Sequence, residues 1–293
     1  MMQTIGKNYL RLIIVTVLFV LLFGLALNPS VIAAPTPASD DFSDPTLNTS
    51  FWTFENEANG SPQIVTSGSE SYLQMVVPPG GIGYNFSDDK KNAPVAWHSI
   101  PNGDFEYEVK FLTPLYEETD GNYKVAGILL RDTSATPTKY LRFDFNAEDA
   151  HLNGYIGYMN GQPNYLVHIY GPSDLPGAAI QTEGQGLYLR VQKTGSDYNV
   201  TWQVGESGVQ VASFSFSQNT YDANFTISHI GVFAGSTGIA PPGATVKVDY
   251  FRDMADTCFV DDGPLPQECG GTGQPTPPPI DLPFDLRLPF VGK

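Results

Sequence analysis

The stretch Thr226–Asp253, TISHIGVFAGSTGIAPPGATVKVDYFRD, sets two runs rich in Ile, Val, Phe and Tyr on either side of a loop of Gly, Ser, Thr and Pro. That is the pattern of two β-strands joined by an irregular connection. In the second run Val246, Val248 and Tyr250 alternate with Thr245, Lys247 and Asp249, which predicts a strand with one buried face.

The same signature recurs upstream. Phe105–Phe111 (FEYEVKF) puts Phe105, Tyr107, Val109 and Phe111 inward and Glu106, Glu108 and Lys110 outward. Val125–Arg131 (VAGILLR) is almost wholly apolar, as in a strand covered on both faces. In Tyr140–Asn146 (YLRFDFN), Leu141, Phe143 and Phe145 point to the core, with Tyr140, Arg142, Asp144 and Asn146 opposite. Leu152–Met159 and Asn164–Tyr170 form a hairpin around Asn160-Gly161. Tyr72–Val77, Leu187–Gln192, Asn199–Val204 and Val209–Phe216 supply further strands, and no segment keeps a helical period. A dozen or so short strands with frequent turns predict an all-β fold, a sandwich of two antiparallel sheets.

Residues 1–34 carry Lys7 and Arg11, then the apolar run Leu12–Leu27, then small residues up to Ala34. This describes a signal peptide, the alternative being a retained anchor. Residues 35–39 read as a short linker, 40–255 as the sandwich and 256–293 as a Pro-rich C-terminal tail. The expected setting is secreted, extracellular or cell-surface, with the tail as a possible means of attachment. The formal charge is −16 and falls to −18 without the two cations of residues 1–34. Such a surface repels phosphate backbones, and no basic motif offsets it, so nucleic acid is not an expected partner. The only cysteines, Cys258 and Cys269, lie in the tail and could close a disulfide outside the cytoplasm.

HIGVFAGSTG…TVKVDYFRD resembles the closing hairpin of concanavalin A-like lectin/glucanase domains, the secreted bacterial kind of the DUF1349 type or appended to family 43 glycosidases. DDFSDPTLNTSFWTF (40–54) resembles their opening, and GLYLRVQKTGSDYNVTWQV (186–204) their late central hairpin. The resemblance covers roughly residues 38–255. It implies a jelly roll with one concave sheet and leaves activity open, because one fold hosts many functions.

Retaining glucanases of that group resemble one another in an E-x-D-x-x-E strand, whose two carboxyls stand about 5–5.5 Å apart. Here the nearest strand, Arg142-Phe-Asp144-Phe-Asn146-Ala-Glu148, lacks the first Glu, which points away from an enzyme. Neither a G-x-S-x-G elbow nor an H-E-x-x-H pair occurs, and the four histidines are scattered. No catalytic residue is assigned.

The expected function is non-catalytic, lectin-like binding of a polysaccharide or glycan through the concave sheet. Sugars offer apolar ring faces rimmed by hydroxyls, so aromatics beside planar polar groups are the sought pattern. Arg131, Tyr140, Arg142, Asp144, Tyr158 and His168 are the candidates on that face, with Trp97 and Tyr123 contributed by loops. The alternatives are a glycoside hydrolase or lyase with a non-standard site and a structural adhesion domain. If the terminal strands pair, Asp40, Asp41 and Asp44 meet Asp249, and Asp41 and Asp249 become candidate ligands of a structural Ca²⁺.

Overall fold

An alternating strand can bury its apolar side chains only against a second layer. The structure, a computed structural model, describes residues 39–261 except 61, 69, 81–82, 88–89, 113–114, 116–121, 149–150, 164, 174, 176–185, 207–210, 239–240 and 242. The expected signal peptide, most of the linker and the tail beyond residue 261 lie outside the described residues.

Fourteen strands are described: β1 (Thr53–Glu55), β2 (Gln63–Ser67), β3 (Glu70–Val77), β4 (Val95–Ser99), β5 (Phe105–Phe111), β6 (Asn122–Asp132), β7 (Lys139–Glu148), β8 (His151–Met159), β9 (Val167–Tyr170), β10 (Leu187–Thr194), β11 (Asp197–Val204), β12 (Val211–Ser217), β13 (His229–Gly238) and β14 (Ala244–Asp253). Sheet I has the order β1-β4-β13-β6-β7-β8-β9, and sheet II the order β12-β11-β10-β5-β14-β3-β2. The described pairings between these strands are antiparallel. This is the two-sheet jelly roll of the concanavalin A-like type.

Phe143 and Phe145 of β7 face Phe111, Tyr198 and Trp202 of sheet II across the apolar interior, and Trp202 Nε1 donates to the Asp144 carbonyl at 2.9 Å. Each such side chain contributes about 1.5–3 kcal/mol by leaving water. The chain's opening is fastened to its last strand, since Asp40 and Phe251 exchange two backbone hydrogen bonds of 2.8 Å.

Two expectations are corrected. The two runs of Thr226–Asp253 do not form a hairpin: β13 lies between β4 and β6 in sheet I, and β14 between β5 and β3 in sheet II. β14 alternates over its first half while β13 is buried on both faces, and the connection carries the chain across the sandwich. Within β14 the register shifts between Val248 and Tyr250. The bulge puts both Asp249 and Tyr250 on the outer face and sends Phe251 into the core, so Tyr250 is not an inward residue.

Beyond Asp253 the chain stays on the outside of sheet II. Phe259 meets the Tyr250 ring at 5.3 Å, and the Arg252 guanidinium lies 5.3 Å from the Phe259 ring centre. Cys258 is disulfide-bonded; Cys269 lies outside the described residues.

Candidate functional site

Register brings seven of the eight glycan-site candidates to the outer face of sheet I. His229, Arg131, Tyr140 and Met159 form one row across it, and Phe233, Gly127, Asp144 and Tyr155 another. Arg142 stands between the rows, opposite Gly157, which itself pairs with His168. Trp97 and Tyr123 sit on β4 and β6 rather than on loops.

This face is largely covered. Tyr84, Asn85 and Phe86 lie on it, anchored by reciprocal backbone bonds between Tyr84 and Ser236. Phe86 packs on Tyr140 and Phe233 there, within a second apolar cluster that includes Trp97, Leu129 and Met159. Arg142 donates to Asp144 Oδ2, to Asn85 Oδ1 and to the Phe86 carbonyl, with its guanidinium 4.9 Å from the Tyr155 ring. Asp144 is fully buried and Arg142 is 5% exposed. Burial pushes the Asp144 carboxyl up, against the opposing pull of Arg142. The pair therefore fastens the covering segment to the sheet.

Further along the face, Glu55 Oε2 accepts from Trp97 Nε1 at 2.8 Å and from Arg131 Nη1 at 3.1 Å. The Arg131 guanidinium lies 4.3 Å from the Trp97 ring, so this indole offers no free platform. Tyr140 is 7% exposed. His168 is exposed and stacked on Tyr155 at 4.9 Å.

Tyr158 departs from the expectation. It pairs with Leu141 and shares that residue's core-facing side, because the β7–β8 register places Met159, not Tyr158, beside Tyr140. Its hydroxyl reaches the end of the sandwich and donates to Asp222 Oδ2 at 2.5 Å. Lys139 Nζ approaches the same oxygen at 2.5 Å, and Asp222 Oδ1 accepts from the Asn224 amide at 3.0 Å. Burial alone would raise the Asp222 carboxyl, but the bonds from Lys139 and Tyr158 outweigh it and hold it below the ordinary value. Burial and the carboxylate together push the Tyr158 hydroxyl up, so it acts as a donor.

Around these groups lies a cleft of about 310 Å³ lined by Thr136, Pro137, Lys139, Tyr158, Asn160, Gln162, Tyr165, Tyr221 and Asp222. That volume is at the small end of the roughly 300–1,000 Å³ usual for ligand sites. Its walls are the β6–β7 loop, the β8–β9 turn and the connection after β12. Gly161 lets the first two meet: its φ is +83° and a Cβ there would stand 2.4 Å from the Thr138 carbonyl oxygen. Asp132 fastens the walls, accepting from Ser134, from Ala135 and, across ninety-four positions, from the Thr226 amide at 3.0 Å. Tyr165, at the lip, is 39% exposed; among the described residues only Val76 is another large apolar side chain as open. Tyr165 and Tyr158 meet edge to face, with centroids 6.3 Å apart.

Sequence reasoning named Tyr158 and missed the rest of the cleft. Tyr165 follows the Asn160–Pro163 turn, and Tyr221-Asp222 follows a strand end: aromatics next to turn residues were the available signal.

Of the candidate metal ligands, Asp41 accepts from the Ser43 amide and hydroxyl. Asp249 is 2.7 Å from Lys110 Nζ, which also stands 3.6 Å from Asp261. An ammonium thus already neutralises Asp249. Among the described residues no group of three or more His, Cys, Asp or Glu is placed to hold a metal ion.

No protein-family model matches this chain, nor does any curated protein. Solved structures do. The Bacteroides ovatus mixed linkage glucan GH16 protein in complex with a product is 12% identical, with a TM-score of 0.48 over 74% of this chain and 99% of that one. A xylan β-1,4-xylosidase from Bacillus halodurans C-125 is 14% identical, with a TM-score of 0.46 over 75% of this chain and 39% of that one. A legume lectin-like domain from Entamoeba histolytica is 15% identical, with a TM-score of 0.44 over 70% and 90%. At such identities the likeness is one of fold.

Proposed function

We propose that this chain is an exported, non-catalytic glycan-binding module whose site is the cleft at the end of the sandwich. The observation that carries the reading is Tyr165, an exposed aromatic at the lip of a cleft otherwise lined by two more tyrosines and by hydroxyl, amide and paired charged groups. A pyranose laid on that ring would present its hydroxyls to Asn160, Gln162 and Thr136, which donate and accept in a plane or on a short rotor. The binding residues differ from those expected on the concave sheet, where the polar groups hold one another.

Hydrolysis of a glycosidic bond by the usual route takes two carboxyls facing each other across the substrate. Among the described residues the cleft's lining has one, Asp222, already committed to Lys139 and Tyr158, and Asp144 is sealed beneath Asn85 and Phe86. The test is to incubate the protein with immobilised polysaccharides and assay retention and new reducing ends together. Retention without new ends supports a binder. New ends mean an enzyme, and neither result leaves adhesion to another protein as the function.

A further inference from the structure

Resting on the reading of the cleft as a glycan site, we infer that its ligand class is the uncharged pyranose, at a chain end or side branch, and not a uronate, a sulfated sugar or an amino sugar. Among the described residues the two charged side chains of the lining cancel each other at 2.5 Å. The carboxylate has no call on a cationic sugar, because Oδ2 is held by Lys139 and Tyr158 and Oδ1 by the Asn224 amide. The ammonium is paired with the same carboxylate, so an anionic sugar meets a neutral pair and not a free cation. What remains for a ligand is neutral: the Tyr165 and Tyr221 rings, the Asn160 and Gln162 amides and the Thr136 hydroxyl. The chain's charge of −16 adds a long-range field against polyanions. A volume of about 310 Å³ suits one or two sugar rings, which favours an end or a branch over the middle of a buried strand of polymer.

The inference predicts how salt acts. Binding of an uncharged sugar has no ligand charge to screen, whereas binding of a charged one changes as the Debye length falls from about 30 Å to about 3 Å, a uronate gaining as repulsion from the acidic chain is screened and an ammonium sugar losing attraction.

The experiment measures affinity for three sets of probes, at low and at high salt: neutral polymers (laminarin, xylan, galactomannan), polygalacturonate and chitosan. It uses the wild type, Tyr165→Ala and Gln162→Ala. Tyr165 is exposed, so its truncation spares the core; thermal unfolding of each variant checks this. The expected result is salt-independent binding of at least one neutral polymer, weakened about tenfold or more by Tyr165→Ala, as for an aromatic anchor. Preference for polygalacturonate or chitosan, with the same dependence on Tyr165, overturns the ligand class while the cleft stands as the site. Binding indifferent to both substitutions overturns the cleft, and with it the inference. No binding to any probe overturns both.

Discussion

The Tyr158 hydroxyl donates to Asp222 Oδ2 at 2.5 Å, joining the end of β8 to the connection after β12 across sixty-four positions. Lys139 reaches the same oxygen, so one carboxylate ties three chain segments together and fixes the floor of the cleft. Tyr158→Phe removes one charge-assisted bond and keeps the ring, and should cost about 1.5–3 kcal/mol. Denaturant titration reads this as a lower midpoint with an unchanged slope. A midpoint equal to the wild type's would mean the bond adds nothing to the folded state.

Acid should loosen the same region. In the folded chain Asp222 and Asp132 both lie below the ordinary carboxylate value: burial raises each, and bonds from Lys139 and Tyr158, or from Ser134 and Thr226, more than reverse it. A carboxyl lowered by folding contributes stability that is complete above its unfolded value, about 3.9, and is lost as pH falls through the folded value. Thermal midpoints should therefore drop more steeply below about pH 4 in the wild type than in an Asp132→Asn, Asp222→Asn double variant. Parallel curves would contradict this.

Arg142 is a structural residue on this account. Arg142→Ala strands the buried Asp144 carboxyl and releases Asn85 and the Phe86 carbonyl, and should destabilise by about 3–5 kcal/mol. Near-UV circular dichroism should change with it, as the Phe86, Tyr140 and Phe233 contacts loosen. A variant of wild-type stability that merely lost ligand binding would return the site to this face.

On the outside of sheet II, Lys110 neutralises Asp249 at 2.7 Å, and Asp249 has a side chain only 5% exposed. Lys110→Met takes the ammonium away from that carboxylate, at an expected cost of about 1.5–3 kcal/mol in chemical denaturation. Equal stability would show that the bulge at Asp249 does not depend on the ammonium.

The alternation in Phe105–Phe111 and Tyr140–Asn146, and the turn at Gly195-Ser196 between β10 and β11, made the strands and their inward faces legible in sequence. Pairing was less so. Nothing local distinguishes a β13–β14 hairpin from two strands in separate sheets, and the bulge that turns Tyr250 outward is one extra residue in an otherwise regular alternation. The double-sided burial of Val125–Arg131 was read correctly, but its cover, Phe86 and its neighbours, carries two aromatics, Tyr84 and Phe86, in a polar stretch and gives no period. The cleft escaped because its residues come from three segments that only register and the Asp132–Thr226 tie bring together.

The most direct test of the central claim is a titration of a neutral oligosaccharide into ¹⁵N-labelled protein, following the side-chain amides of Asn160 and Gln162 and the backbone amides of Tyr165 and Asp222. The account predicts that these resonances shift together and saturably, and that Tyr165→Ala abolishes the shifts. Shifts centred instead on His168, Tyr155 and Asn153, with the cleft unmoved, would contradict it.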